Sequence, residues 1–212
     1  MATMRTYGDR CGVARALDIV GERWALLVVR ELVLGPKRFT DLRRGLPNVA
    51  PDVLSQRLRE LETAGVLRRR TLPPPGGAKV YELTDWGREL EPLVVGLGRW
   101  GSRARFPPGA HDLGPDSFVI ALRTLFDPGA AAGLDARYEL GLGDDRFDVR
   151  VRGGELSIAR GAVEAPDATI ETDPATLAAV LWHGRSPSEV RRDGDRALAE
   201  RFLALFPPPV PA

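Results

Sequence analysis

Residues 51–84 read PDVLSQRLRELETAGVLRRRTLPPPGGAKVYELT. Leu54, Leu58 and Leu61 recur at the period of one helical face. Pro51 suits the first turn of that helix, where its missing N–H costs nothing, and Gly65 ends it. Two short extended runs, 66–72 and 79–83, then flank a Pro/Gly-rich turn, which is a hairpin signal with a loop longer than two residues.

Upstream, Val13, Leu17 and Val20 mark a short first helix. Trp24, Leu27, Val28 and Leu32 mark a second, stopped by Gly35-Pro36. Phe39, Leu42 and Leu46 mark a third, with Thr40 as its N-cap and Gly45 and Pro47 closing it. After the hairpin, Thr84 can cap a fifth helix. Its apolar positions are Trp86, Leu90, Leu93, Val94, Leu97 and Trp100; Pro92 should kink it, and Gly96 and Gly98 weaken it.

Helices followed by a hairpin predict a mainly α winged helix-turn-helix. If the leucine stripe of the 51–63 helix points inward, Asp52, Gln56, Arg59 and Thr63 point outward, with Ser55 on the flank. Glutamine and arginine can read base edges with two hydrogen bonds at once. The N-terminal part of the helix should enter the groove deepest, so Asp52, Ser55 and Gln56 are the expected base readers, and Arg59 reaches a base or a phosphate. Arg68, Arg69, Arg70 and Lys79 on the hairpin are expected at phosphates or the minor groove. Lys37, Arg38 and Arg43, near the third helix, are further phosphate candidates, and Thr40 is counted among the DNA-binding residues with them.

The run from CGV at 11–13 through GERW at 21–24, LGPKRF at 34–39, LSQRLRELE at 54–62 and YELTDWG at 81–87 resembles the HxlR family of winged-helix regulators. The resemblance covers nearly half of the chain. It implies a homodimer on a near-palindromic DNA operator, with the Trp86, Leu90, Leu93, Val94, Leu97 and Trp100 stripe forming the dimer contact. Where that family usually carries Ser or Thr at the start of the recognition helix, this chain has Ala50, which forgoes a capping hydrogen bond worth about 1 kcal/mol. Asp52 suits the helix dipole and can accept from cytosine N4; it is either a base reader or purely structural. The family includes thiol-based sensors with a cysteine near the N-terminus, and Cys11 matches that position.

Charge is divided along the 212-residue chain, whose formal net charge is only +1. Residues 1–106 hold 19 Lys/Arg against 12 Asp/Glu, and residues 107–212 hold 11 against 17. A basic half joined to an acidic half points to two domains with different partners, the basic one facing a polyanion. One cysteine excludes an internal disulfide framework, and with two distant histidines it gives no metal-ligand spacing. No cofactor is expected. The N-terminus lacks the apolar core of a secretory signal and no apolar run is long enough for a membrane span, so a cytoplasmic protein is expected.

The expected division is a DNA-binding and dimerisation domain at 1–101, a linker at 102–115, a second domain at 116–207 and a tail at 208–212. The second domain opens with a helix carrying Phe118, Leu122, Leu125 and Phe126. Alternation follows in Tyr138/Leu140/Leu142, Phe147/Val149/Val151, Leu156/Ile158 and Ala168/Ile170, which predicts an antiparallel sheet with one buried face. Two helices close it, making an α+β fold with helices on one face. His183 beside Gly184 reads as a helix C-cap. PDATIETD at 166–173 and GDRALAERFLALF at 194–206 resemble the sterol carrier protein 2 fold. That resemblance implies a small hydrophobic ligand, with Phe118, Leu122, Phe147, Leu181, Trp182, Phe202 and Phe206 as lining candidates.

The composite expectation is a dimeric DNA-binding regulator responsive to a small hydrophobic effector. The alternative is a redox-responsive regulator acting through Cys11 with a structural second domain. No nucleophile motif, phosphate-binding glycine loop or metal cluster points to an enzyme.

Overall fold

The computed structural model describes residues 6–74, 77–104 and 113–211. The chain forms two compact units, Met1–Val94 and Val95–Ala212. The division falls inside a helix, whereas the expected boundary at 101 is that helix's end. Residues 105–112 of the expected linker, Pro75 and Gly76 of the hairpin turn, and Ala212 of the tail lie outside the described residues.

The first unit runs α1 (Gly12–Val20), α2 (Ala25–Leu32), α3 (Phe39–Gly45), α4 (Pro51–Thr63), β1 (Leu67–Thr71), β2 (Lys79–Leu83), α5 (Asp85–Arg88) and α6 (Glu91–Gly101), α6 running on into the second unit. Its core gathers Val28, Val29 and Leu32 of α2, Leu42 of α3, and Leu54, Leu58 and Leu61 of α4, all buried. Each such side chain contributes roughly 1.5–3 kcal/mol on leaving water. Two expectations differ in detail. Thr40 lies inside α3; the N-cap is Arg38, whose backbone N–H donates to the Asp41 carboxylate at 3.3 Å. The expected fifth helix is two helices, because Pro92 lacks the N–H a continuous helix would use there.

The α4-to-wing junction is built from local rules. Gly65 takes φ +76°, its N–H donates to Glu62 C=O at 3.0 Å, and Val66 N–H donates to Leu61 C=O at 2.9 Å. This pair of bonds is a Schellman ending, which needs a residue in the left-handed region. Thr84 then does two jobs. Its Oγ1 accepts from Gly87 N–H at 3.0 Å, capping α5, and donates to Gly65 C=O at 2.7 Å, tying the far end of the wing to the end of α4. Gly87 is required beside it: a Cβ there would meet the Val66 carbonyl oxygen at 1.9 Å.

The second unit takes in the end of α6, where Arg99 Nε donates to Thr124 C=O at 3.2 Å. It continues with α7 (Pro115–Leu125), β3 (Asp135–Leu142), β4 (Asp145–Arg152), β5 (Glu155–Arg160), β6 (Ala168–Thr172), α8 (Pro174–Trp182), β7 (Arg191–Gly194) and α9 (Arg196–Ala204). The sheet order is β5-β4-β3-β6-β7. The sheet is mixed, not antiparallel throughout: β3 pairs with β6 in parallel, Tyr138 opposite Ala168. After β5 the chain returns to the far side of β3, and side-chain alternation is the same for either pairing direction. β7 was not foreseen, because its sequence RRDG is polar and forms an edge.

One sheet face carries Tyr138, Leu140, Phe147, Val149, Ile158 and Ile170, all buried. The Tyr138 ring lies 5.1 Å from that of Phe202 on α9. The other face is charged. Asp148 accepts from Arg137 at 2.8 Å and Arg150 at 2.9 Å, and these hydrogen bonds hold its carboxyl far below the usual carboxylate range.

Candidate nucleic-acid interface

The outer face of α4 carries the central group of candidate residues. Asp52, Gln56 and Arg59 are exposed and Ser55 is half-buried, opposite the buried leucine stripe. Gln56 Nε2 donates to Glu60 Oε1 at 2.9 Å, and Ser55 Oγ donates to Pro51 C=O at 2.8 Å. Both bonds are local and exposed, so base edges can replace them at small cost. Ala50 caps α4 without a side-chain bond. Arg57 faces away from this group: it is largely buried and pairs with Glu60 at 2.5 Å.

The third-helix candidates separate. Arg38, Thr40 and Arg43 are exposed. Lys37 instead reaches inward, its Nζ 2.5 Å from Oε2 of buried Glu31. Its backbone also pairs with the wing: Lys37 N–H donates to Tyr81 C=O at 3.0 Å, and Tyr81 N–H returns a bond at 2.8 Å. Sequence reading missed Glu31, whose place between Arg30 and Lys37 is set by tertiary packing. It also missed Arg44, which stands exposed beside Arg43.

On the wing, Arg68, Arg69, Arg70 and Lys79 are exposed. Each arginine has an acidic partner: Arg68 and Arg70 share Glu82 at 2.7 and 2.9 Å, and Arg69 lies 3.0 Å from Glu62 on α4. In the folded hairpin Glu82 stands directly opposite Arg68, a pairing set by the strand register, which alternation along the sequence does not give.

On α6, Leu93, Leu97 and Trp100 are 57%, 51% and 77% exposed, while Val94 is buried and Leu90 half-buried. Trp86 on α5 is exposed too. In the second unit, Phe118, Leu122, Phe147, Phe202 and Phe206 fill the core, and Leu181 and Trp182 are half-buried. Cys11 is exposed at the N-cap of α1, and His183 is the C-cap of α8.

Residues 19–107 match the HxlR-like helix-turn-helix family. The uncharacterized HTH-type transcriptional regulator YvaP of Bacillus subtilis is 39% identical over 88 residues, which are 42% of this chain and 82% of YvaP. The chain belongs to the HxlR-like helix-turn-helix family. YdeP of Bacillus subtilis, named likewise, is 36% identical over 95 residues, 45% of this chain and 74% of YdeP. The structure of the redox regulator HypR in its oxidized form is 35% identical, covering 46% of this chain and 100% of that chain, with a TM-score of 0.41. These HxlR-like matches cover less than half of this chain. No helix among the described residues is long and apolar enough to cross a membrane.

Proposed function

We propose that this chain is a transcriptional regulator that binds double-stranded DNA as a homodimer on a near-palindromic operator. The observation that carries it is α4: a helix with a fully buried leucine face and an exposed face bearing Asp52, Gln56 and Arg59, followed at once by a wing with four exposed basic residues. In this reading α4 enters the major groove, Asp52, Ser55 and Gln56 meet base edges, and Arg59, Arg38, Arg43, Thr40 and the wing meet backbone. Lys37 contributes by holding the wing to the helices. The exposed Leu93, Leu97 and Trp100 face of α6, with Trp86, supplies the apolar surface for the second subunit. Binding to a labelled duplex should weaken steeply with salt as phosphate contacts release counterions; salt-independent binding would count against it.

The second unit is proposed to sense a small hydrophobic effector, in keeping with its resemblance to sterol carrier protein 2. Two observations favour this. The Tyr138 hydroxyl is buried and has no hydrogen-bond partner among the described residues, and burial pushes its pKa up to about 12. Orphaned buried hydroxyls are uncommon, so a ligand or ordered water is called for. Helix α8 is apolar on all sides, PATLAAVLW, yet only Leu177 is fully buried. A native mass spectrum of protein purified without added lipid tests this: a non-covalent apolar adduct supports it, and a bare dimer opposes it.

A second reading is redox control through Cys11, favoured by the exposure of that thiol at a helix N-terminus. Cys11→Ser separates the two. It abolishes an oxidant response if the thiol is the sensor and leaves an effector response intact.

A further inference from the structure

The three wing arginines are not one basic patch, because side chains on a strand point alternately to opposite faces. Arg69 turns to one side, its guanidinium 5.4 Å above the Tyr81 ring and paired with Glu62. Arg68 and Arg70 turn to the other, where β2 supplies Glu82 as the direct cross-strand partner of Arg68. One carboxylate takes both arms: Arg68 Nε donates to Oε1 at 2.7 Å and Arg70 Nε to Oε2 at 2.9 Å. The Glu82 side chain is 10% exposed, while those of Arg68 and Arg70 are 62% and 44% exposed.

The acid is therefore nearly buried while the arms it holds remain exposed to solvent. Each arm is held through Nε, so its two terminal nitrogens have no hydrogen-bond partner among the described residues. Burial pushes the Glu82 carboxyl up, but the hydrogen bonds from Arg68 and Arg70 outweigh it and keep the group below its ordinary value. It stays ionised at neutral pH. An ionised carboxylate beside a polyanion repels it unless neutralised; here one negative charge faces two positive ones and leaves the pair net basic. A free arginine gives up rotamer freedom when a phosphate orders it, whereas a held one has already lost that freedom.

We propose that Glu82 is a positioning residue of the wing: it fixes the Arg68 and Arg70 guanidiniums side by side, so that their outer N–H edges meet DNA phosphates already ordered. This rests on the reading of the β1–β2 hairpin as a DNA-contacting wing.

The test is a double-mutant cycle on the full chain, read by fluorescence anisotropy with an end-labelled mixed-sequence duplex. Arg68→Ala should weaken binding about tenfold when Glu82 is present, and about threefold or less in the Glu82→Gln background, where at most one arm remains held. An equal penalty in both backgrounds overturns the proposal. Arg68→Lys leaves Glu82 untouched and keeps the charge, but an ammonium has a single nitrogen: the atom that Glu82 would hold is the same one that must meet the phosphate, and the planar two-nitrogen outer edge of the guanidinium is lost. It should cost nearly as much as Arg68→Ala, and wild-type affinity overturns the proposal. A readout without DNA is the arginine Nε–H NMR signals: those of Arg68 and Arg70 should be sharp in the wild type, with at least one broadened by Glu82→Gln. If neither Arg68→Ala nor Arg70→Ala changes duplex binding, the wing reading itself fails, an outcome distinct from an equal penalty in the cycle.

Discussion

Lys37 donates through Nζ to Oε2 of Glu31 at 2.5 Å, and the Glu31 side chain is 2% exposed against 14% for Lys37. The lysine that looks like a phosphate contact in sequence thus neutralises a buried acid, with Arg30 at 2.9 Å on the other carboxylate oxygen. Removing Lys37 takes one of its cations away from a buried carboxylate, which is strongly destabilising. Lys37→Ala should lower the stability of the first unit by about 3 kcal/mol, seen as an earlier urea midpoint. The salt dependence of DNA binding by the folded fraction should stay as in the wild type.

The same acid sets a pH dependence. Burial pushes the Glu31 carboxyl up, and the charges and hydrogen bonds of Lys37 and Arg30 outweigh it, placing the group below its ordinary value of 4.5. A carboxyl depressed by folding stabilises the folded state above its unfolded value and loses that contribution as pH falls through the folded one. Stability should therefore be level near neutrality and decline from about pH 4.5 downward, with Glu82 adding to the same decline. Glu31→Gln should flatten the acid limb in pH-resolved thermal melts; an unchanged limb would assign the decline to other carboxylates.

Two glycines should respond oppositely to alanine. At Gly87 a Cβ would strike the Val66 carbonyl oxygen at 1.9 Å, whereas at Gly96 it meets nothing within 4 Å. Gly87→Ala should cost about 2 kcal/mol or more by forcing the wing root apart. Gly96→Ala, in the interior of α6, should gain about 0.5–1 kcal/mol by helix propensity. Thermal melts of the two variants check both signs.

A charge on the exposed α6 face should dissolve the proposed dimer. Leu93→Glu puts a carboxylate where a second subunit would bury apolar surface, so sedimentation should show a monomer and duplex binding should weaken in proportion. A Leu93→Glu protein that sediments as a dimer would move the interface elsewhere.

Much of this architecture was legible because its signals are local. The stripe of Leu54, Leu58 and Leu61, the Gly65 ending and the Thr84 cap are decided within a few residues of themselves. Topology was less legible. The parallel β3–β6 pairing depends on where a chain returns, and Tyr138/Leu140/Leu142 alternate alike in either case. Burial misled at α1, where Val13 and Leu17 share a helical period with Val20 but stand exposed; period identifies a face without saying what covers it. Among candidate DNA contacts, exposure at Gln56 and Arg59 followed from opposing the leucine stripe. The inward turn of Lys37 and the sharing of Glu82 between two arginines depend on partners from other segments.

The central claim is that α4 reads base edges, and selection of duplexes from a randomised library tests it most directly. Wild-type protein should enrich a motif of two inverted half-sites, and Gln56→Ala should relax the preference at one position in each half-site, by about 1–3 kcal/mol, without altering the others. Failure of the wild type to enrich any motif, or recovery of an identical motif with Gln56→Ala, would contradict the account.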